Sequence, residues 1–185
     1  MKLNKTAYAI LGLLTIEPMT GYAMRQMMKG STSNFWSESD GQLYPALTLL
    51  SKQKLIVINK TKNESAREKK EYAITTAGHK VLKEWLKEPA ETKIVRDEFM
   101  LKLFFSANVD STVILDAMNK KSVELQSGIG YMIKTKKELL QYKEKTSQYL
   151  YWDITADYGI ALLEAKLKWS NEAIKRILKA NKKIK

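Results

Sequence analysis

The first half of the chain places apolar residues at helical spacing three times before the pattern changes. Ala7, Ile10, Leu11 and Leu14 recur at i, i+3, i+4 and i+7, which predicts an amphipathic helix ended by Glu17-Pro18. A second, shorter helix takes Thr20 as N-cap, carries Ala23, Met24, Met27 and Met28 on its apolar face and stops at Gly30. Turn chemistry fills residues 31–37, and then Leu43, Ala46, Leu47 and Leu50 repeat the spacing behind Ser39-Asp40-Gly41-Gln42, which has the form of a capping box. Pro45 has no N–H for the carbonyl four residues back, so this third helix is predicted to become regular near Gln42 rather than at Asp40.

The period then shortens. Leu55-Ile56-Val57-Ile58 is a β-branched run, and Tyr72-Ala73-Ile74 is a second apolar stretch across a polar, basic segment, which together predict a two-stranded hairpin. Thr75 or Thr76 caps a fourth helix with Val81, Leu82, Trp85 and Leu86 as its buried stripe, and Pro89 with the residues up to Thr92 marks the domain boundary. Beyond it the chain reads as helical. Phe99, Leu103 and Phe104 share one face of a short helix, and Met118, Leu125, Met132 and Leu139 are spaced seven apart, with Ile114 and Ile129 beside them. That spacing marks the seam of a coiled coil or of a long antiparallel pair, and Gly128-x-Gly130 within it calls for a kink or a close helix approach. Trp152, Ala156, Gly159, Leu163 and Leu167 give a further helix that continues or breaks before the basic end from Trp169. The predicted fold is mainly α with a small β-hairpin wing: a winged helix-turn-helix at 1–90, then an antiparallel or coiled-coil helical domain at 91–185.

Charge and composition narrow the function. Lys and Arg outnumber Asp and Glu 32 to 20, a net +12 that suggests a polyanionic partner, nucleic acid before membrane. No apolar run reaches the roughly 18 residues of a membrane span, and the start, Met1-Lys2-Leu3-Asn4-Lys5, lacks a signal peptide's apolar core; the expectation is a soluble, cytoplasmic protein. The absence of cysteine removes thiol chemistry and Cys-type metal sites, His79 is the only histidine, and there is no P-loop, so an enzyme reading finds no nucleophile–base pair and no cofactor or metal is expected.

A winged helix suits DNA. The outer face of the third helix offers Gln42, Tyr44, Pro45, Thr48 and Lys52; Gln42 can pair bidentately with adenine, and Tyr44 can donate to a phosphate. Lys60, Lys62, Arg67, Lys69 and Lys70 lie on the wing, where each phosphate contact adds salt-dependent affinity. Winged helices also serve as protein-docking modules, and that alternative stands beside DNA binding. Residues 166–185 hold eight Lys or Arg against Glu172 alone; this block reads as a solubilising end rather than as the binding site.

The motifs resemble those of the PadR family of transcriptional regulators, in the longer subfamily that includes phenolic-acid-responsive repressors and a virulence activator. The family's early Gly-Tyr motif matches Thr20-Gly21-Tyr22-Ala23, and its recognition-helix signature matches Ser39-Asp40-Gly41-Gln42-Leu43-Tyr44-Pro45-Ala46-Leu47. Lys54-Leu55-Ile56 stands for the Gly-Leu-Ile that enters the wing, and the run from Arg67 to Thr75 for the segment that leaves it. Arg96-Asp97-Glu98-Phe99, Lys102, Phe104-Phe105, Tyr158-Gly159-Ile160 and Trp169 are similar to the helical C-terminal domain. Leu49 and Ser51 depart from the usual Arg and Glu, and Glu71 replaces a wing aromatic, which weakens phosphate attraction on that strand.

The resemblance implies a DNA-binding set of Tyr22, Ser39, Gly41, Gln42, Tyr44, Pro45, Thr48, Lys62, Arg67, Lys69 and Lys70, and a homodimer on a pseudo-palindromic operator in double-stranded DNA. Met118, Leu125, Ile129, Met132 and Leu139 are the expected dimerisation seam, with packing inside one chain as the alternative. A repressor released by a small phenolic or aromatic effector is the implied mode, against an activator or interaction module without a ligand. Trp152 and Tyr158, with Arg96 or Lys102 for a carboxylate, are the candidate effector residues, and the competing role for these aromatics is helix core.

Overall fold

The computed structural model describes residues 3–31, 40–61, 69–91 and 96–184. Two compact units result, Met1–Thr92 and Lys93–Lys185. The expected Ser39 cap, the loop at 32–37 and the wing tip at 62–68, with Lys62 and Arg67, lie outside the described residues.

The first unit runs α1 (Lys5–Leu14), β1 (Met19–Thr20), α2 (Gly21–Ser31), α3 (Asp40–Lys52), β2 (Ile56–Thr61), β3 (Lys69–Ile74) and α4 (Thr76–Lys87). Asn4 caps α1 by accepting from the Ala7 N–H at 2.8 Å, and Thr20 Oγ1 accepts from Ala23 N at 3.2 Å at the start of α2. The hairpin is one strand short of the sheet: β1 pairs antiparallel with β3, Met19 opposite Tyr72 and Thr20 opposite Glu71, giving the order β1-β3-β2. Two residues are too few to show an alternation in sequence. The third helix begins at Asp40, not near Gln42, because the missing N–H of Pro45 deprives only one carbonyl and the other bonds of α3 carry it.

Ile10, Leu11, Met24, Leu47, Leu50 and Ile56 form the centre of this unit's core. Tyr8 stacks on Trp85 at 4.5 Å between centroids, tying α1 to α4, and Lys5 Nζ sits 5.6 Å over the same indole. Two expected core positions turn outward: Leu86 is 67 % exposed, and Ala23 is also on the surface. Leu82, Trp85 and Val81 are enough to seat α4, so Leu86 falls past the edge of the contact.

The end of α3 is a Schellman turn. Lys54 N donates to Ser51 O and Leu55 N to Leu50 O, both at 3.0 Å, while the buried Leu50 and Leu55 supply the apolar contact that accompanies this cap. The geometry puts Lys54 at φ 58°, the only positive φ at a non-glycine among the described residues. A side chain there costs about 1–2 kcal/mol, part of which glycine returns through its freer unfolded chain. Lys54→Gly is therefore expected to stabilise the first unit by about 0.5–1 kcal/mol, read as a higher urea midpoint at unchanged slope; an unchanged or lower midpoint would contradict the strain argument.

The second unit holds α5 (Glu98–Phe104), α6 (Ser111–Leu139) and α7 (Tyr149–Ile184), with short 3-10 turns after α5 and α6. Asp97 and Asp110 cap α5 and α6, and the Thr112 hydroxyl and amide, both donating to the Asp110 carboxylate, hold its pKa below the usual range. Helices α6 and α7 lie antiparallel. Asn181 reaches Ser111 at 2.8 Å, Ser122 meets Ser170 at 2.9 Å, Leu163 packs over Gly128, and Lys136 pairs with Asp153 at 3.2 Å and with Asp157. α7 runs unbroken through Trp169. Among the described residues no helix is long and apolar enough to cross a membrane.

This pairing corrects the expected dimer seam. Met118, Leu125 and Met132 are 0 %, 6 % and 3 % exposed within one chain, and Ile129 and Leu139 are half-buried beside them. A sevenfold repeat calls for a second apolar helix, and α7 supplies it from the same chain. α6 runs through Gly128 and Gly130 as one helix, and a Cβ on Gly128 would meet Leu163 Cδ1 at 3.4 Å, an ordinary packing distance.

Candidate nucleic-acid interface

α3 is seated by one face and free on the other. Leu43, Ala46, Leu47 and Leu50 are at most 3 % exposed, whereas Gly41, Gln42, Tyr44, Pro45, Thr48 and Lys52 all face solvent. The buried side fixes the helix against α1 and β2, so the outer side is a rigid row of hydrogen-bonding groups.

Gln42 does not close a capping box within the described residues; its Oε1 accepts from the Thr6 hydroxyl of α1 at 3.4 Å. That contact orients the amide, and the second lone pair on Oε1 and the two N–H groups stay available for a base edge. Thr48 Oγ1 donates to Tyr44 O at 3.0 Å, which commits its proton to the helix and presents the hydroxyl outward as an acceptor.

Tyr44 is held by what lies under it. A Cβ on Gly21 would come within 3.1 Å of Tyr44 Cε1 and 3.5 Å of Leu47 Cδ1, so glycine at the start of α2 leaves the space in which the Tyr44 ring rests. Burial, with a further contribution from the neighbouring Tyr44, pushes the Tyr72 phenol above its ordinary pKa. Tyr22, one residue on from Gly21, is 66 % exposed. Gly21, Tyr22 and Tyr44 thus gather where α2 meets α3. Sequence reasoning singled out Tyr22 and Tyr44 but missed the spacing role of Gly21 and the Thr6 contact, neither of which has a periodicity to betray it.

On the wing, the backbone register places Lys60 opposite Lys70 and Thr61 opposite Lys69. Lys70 is exposed and Glu71 half-buried.

The expected effector residues do not assemble. Trp152 makes an edge contact with Tyr142 at 5.8 Å, Lys102 is held by Glu98 at 2.7 Å, and Tyr158 and Arg96 are exposed. Trp152 and Tyr158 are six residues apart on α7, about 240° around the helix, so they point to different sides. A cleft of about 670 Å³ in the second unit is lined instead by Leu103, Trp169, Ala173, Arg176, Ile177, Lys179 and Ala180.

Comparison with known proteins places this geometry. Residues 10–84 match the Transcriptional regulator PadR-like family, and residues 95–177 match the Virulence activator alpha C-term family. The Negative transcriptional regulator PadR of Bacillus subtilis (strain 168) is 34% identical over 123 residues, covering 64% of this chain and 68% of that protein. The crystal structure of Bacillus subtilis PadR in complex with operator DNA superposes with a TM-score of 0.80 at 24% identity, over 92% of this chain and 98% of that one. The same protein in complex with p-coumaric acid gives a TM-score of 0.69 at 22% identity, over 92% and 96%. With a winged helix-turn-helix, a helical C-terminal unit and these matches, the chain belongs to the PadR-like family of transcriptional regulators.

Proposed function

We propose that the protein is a dimeric, sequence-specific DNA-binding repressor that works in the cytoplasm without catalysis of its own, reads its operator with the outer face of α3 and is released by a small aromatic acid. The observation that carries the reading is the outward row Gln42, Tyr44, Pro45 and Thr48 on a helix whose other face is buried. Such a helix enters a major groove with its N-terminal residues at the base edges. The strand register sets two lysine positions opposite one another on the wing, a placement suited to a phosphate. The repressor sign follows the Bacillus subtilis relative, and the effector class follows the relative solved with p-coumaric acid.

The homodimer stands on a different surface from the seam. In the second unit Phe104 is 80 % exposed, with Leu101 and Phe105 beside it on and after α5, and Tyr151, Ile154 and Tyr158 follow one another on an outer face of α7. Apolar groups of this size in water mark an interaction surface, and a second copy is the partner a two-fold operator requires.

A duplex carrying the promoter of the protein's own transcription unit is the test substrate. Expected is tight binding by two chains per site in the presence of excess random duplex at physiological salt, and release on adding p-coumaric acid. Equal affinity for promoter and random duplex would overturn the sequence-specific reading; bound complex unaffected by saturating p-coumaric acid would overturn the effector class.

A further inference from the structure

Several lysines of the second unit are held in ion pairs, Lys102 with Glu98 at 2.7 Å, Lys121 with Glu124 at 3.1 Å, Lys134 with Glu138 at 3.8 Å and Lys136 with Asp153 at 3.2 Å, while among the described residues Lys120, Lys137 and Lys143 stand singly in solvent. Lys168, Lys175, Arg176 and Lys179 are all exposed, and among the described residues none of them has an ion-pair partner. Lys168, Lys175 and Lys179 recur at i, i+7 and i+11, within about 40° of one another around the helix, and Arg176 flanks them. This stripe lies on the far side of α7 from Leu163 and the fully buried Ser170, which face α6. It is a ridge of net positive charge about 16 Å long, interrupted by the exposed Glu172 four residues from both Lys168 and Arg176, on a helix held rigid from behind.

Intrinsic helix physics does not account for it. The macrodipole favours cations only in the last turn, and Lys168, Lys175 and Arg176 lie well before the helix end at Ile184. Like charges at i, i+4, as at Lys175 and Lys179, are mildly destabilising by themselves. An amphipathic helix lying on a membrane needs a free apolar face opposite its cations, and here α6 occupies that face. A regularly spaced polyanion suits the stripe, two of whose cations, Arg176 and Lys179, also border the cleft beside Leu103 and Trp169, and a 16 Å ridge matches roughly five base pairs of rise at about 3.4 Å each.

We infer that the Lys168–Lys175–Arg176–Lys179 stripe of α7 is a second, sequence-independent contact surface for the phosphate backbone of duplex DNA. The inference rests on the DNA-binding reading above and adds a surface with a different signature: charge neutralisation without base preference. It also revises the expectation that this basic block only solubilises the C-terminus.

The test compares the full-length chain with a variant carrying Lys168→Gln, Lys175→Gln, Arg176→Gln and Lys179→Gln, each binding the promoter duplex and a random duplex of equal length over a range of salt. Each phosphate contact contributes about 0.9 to the slope of log K against log salt, so the variant is expected to be shallower by about 3 to 4 on both duplexes. Its promoter-to-random affinity ratio should equal that of the parent. A second variant with arginine at Lys168, Lys175 and Lys179 should keep the parental slope, and equal melting temperatures establish that all three proteins are folded. Equal slopes for the parent and the glutamine variant would overturn the inference, as would a change in the affinity ratio. A parent that binds both duplexes equally, yet more steeply than the variant, would sink the sequence-specific reading and leave the stripe standing; a parent that binds neither would sink both.

Discussion

Replacing Gly78 by alanine is expected to destabilise the first unit by about 3 kcal/mol or more, the large end of what overpacking costs. A Cβ on Gly78 would lie 2.3 Å from Leu55 O and 2.8 Å from Ile74 Cγ1, with Leu11 Cδ2 at 3.2 Å. The first of these is backbone, so no rotamer change makes room. The close approach is built by Thr75: its N–H donates to Leu55 O at 3.0 Å, its hydroxyl lies 2.9 Å from Lys54 O and 3.0 Å from Leu55 O, and its oxygen accepts from Gly78 N at 3.1 Å. The start of α4 is thereby fastened to the turn that closes α3 and opens β2. Moving α4 outward to admit a methyl group breaks this set as well, at about 1 kcal/mol for each hydrogen bond lost. For a unit of this size each kcal/mol shifts melting by about 4–8 °C, so a fall of roughly 12–24 °C is expected by circular dichroism, with loss of DNA binding near the new midpoint. Gly130→Ala is the control: nothing lies within 4 Å of its added carbon, and a helix interior gains about 1 kcal/mol from the change. A Gly78→Ala protein that melts with the parent would mean the corner is looser than its hydrogen bonds imply.

The second large effect is on recognition. Gln42→Ala is expected to weaken discrimination at one base pair in each operator half-site by about 1–3 kcal/mol, roughly a fivefold to 150-fold change, while leaving affinity for random duplex nearly unaltered. Gln42 is exposed near the N-terminal end of α3, and Thr6 fixes its amide from behind. An adenine edge needs one acceptor and one donor in the same plane, and that amide presents both. Lys70→Ala, which removes charge from the wing instead, should lower affinity for all sequences alike.

Much of the first unit was legible because its elements carry local signals. The spacing of Ala7, Ile10, Leu11 and Leu14, the cap at Thr75, and the separation of Leu43, Leu47 and Leu50 from Gln42, Tyr44 and Thr48 all appear where the pattern put them. What failed was non-local. β1 exists only because Tyr72 and Glu71 offer Met19 and Thr20 a backbone to pair with, and two residues carry no period. The sevenfold spacing marks a helix contact, and repeat spacing does not distinguish a helix of the same chain from one of a second copy. The deciding facts, a single α7 of 36 residues and the Ser122–Ser170 contact, lie in the pairing. The aromatic cluster misled in another way, since richness in Tyr and Trp says nothing about direction, and Trp152 and Tyr158 turn to different sides of one helix. Phe104, placed by its spacing on the apolar face of α5 with Phe99 and Leu103, is exposed instead, and with its neighbours becomes the apolar surface that needs a partner.

Base reading by the outer face of α3 is tested most directly by the affinities of the parent and of Gln42→Ala for a set of promoter duplexes in which every base pair of the site is changed in turn. The parent is expected to show two symmetry-related clusters of sensitive positions about one helical turn apart, and the variant to lose sensitivity at one position in each cluster while keeping the rest. Identical sensitivity profiles for the two proteins, or a parent indifferent to every substitution, would contradict it.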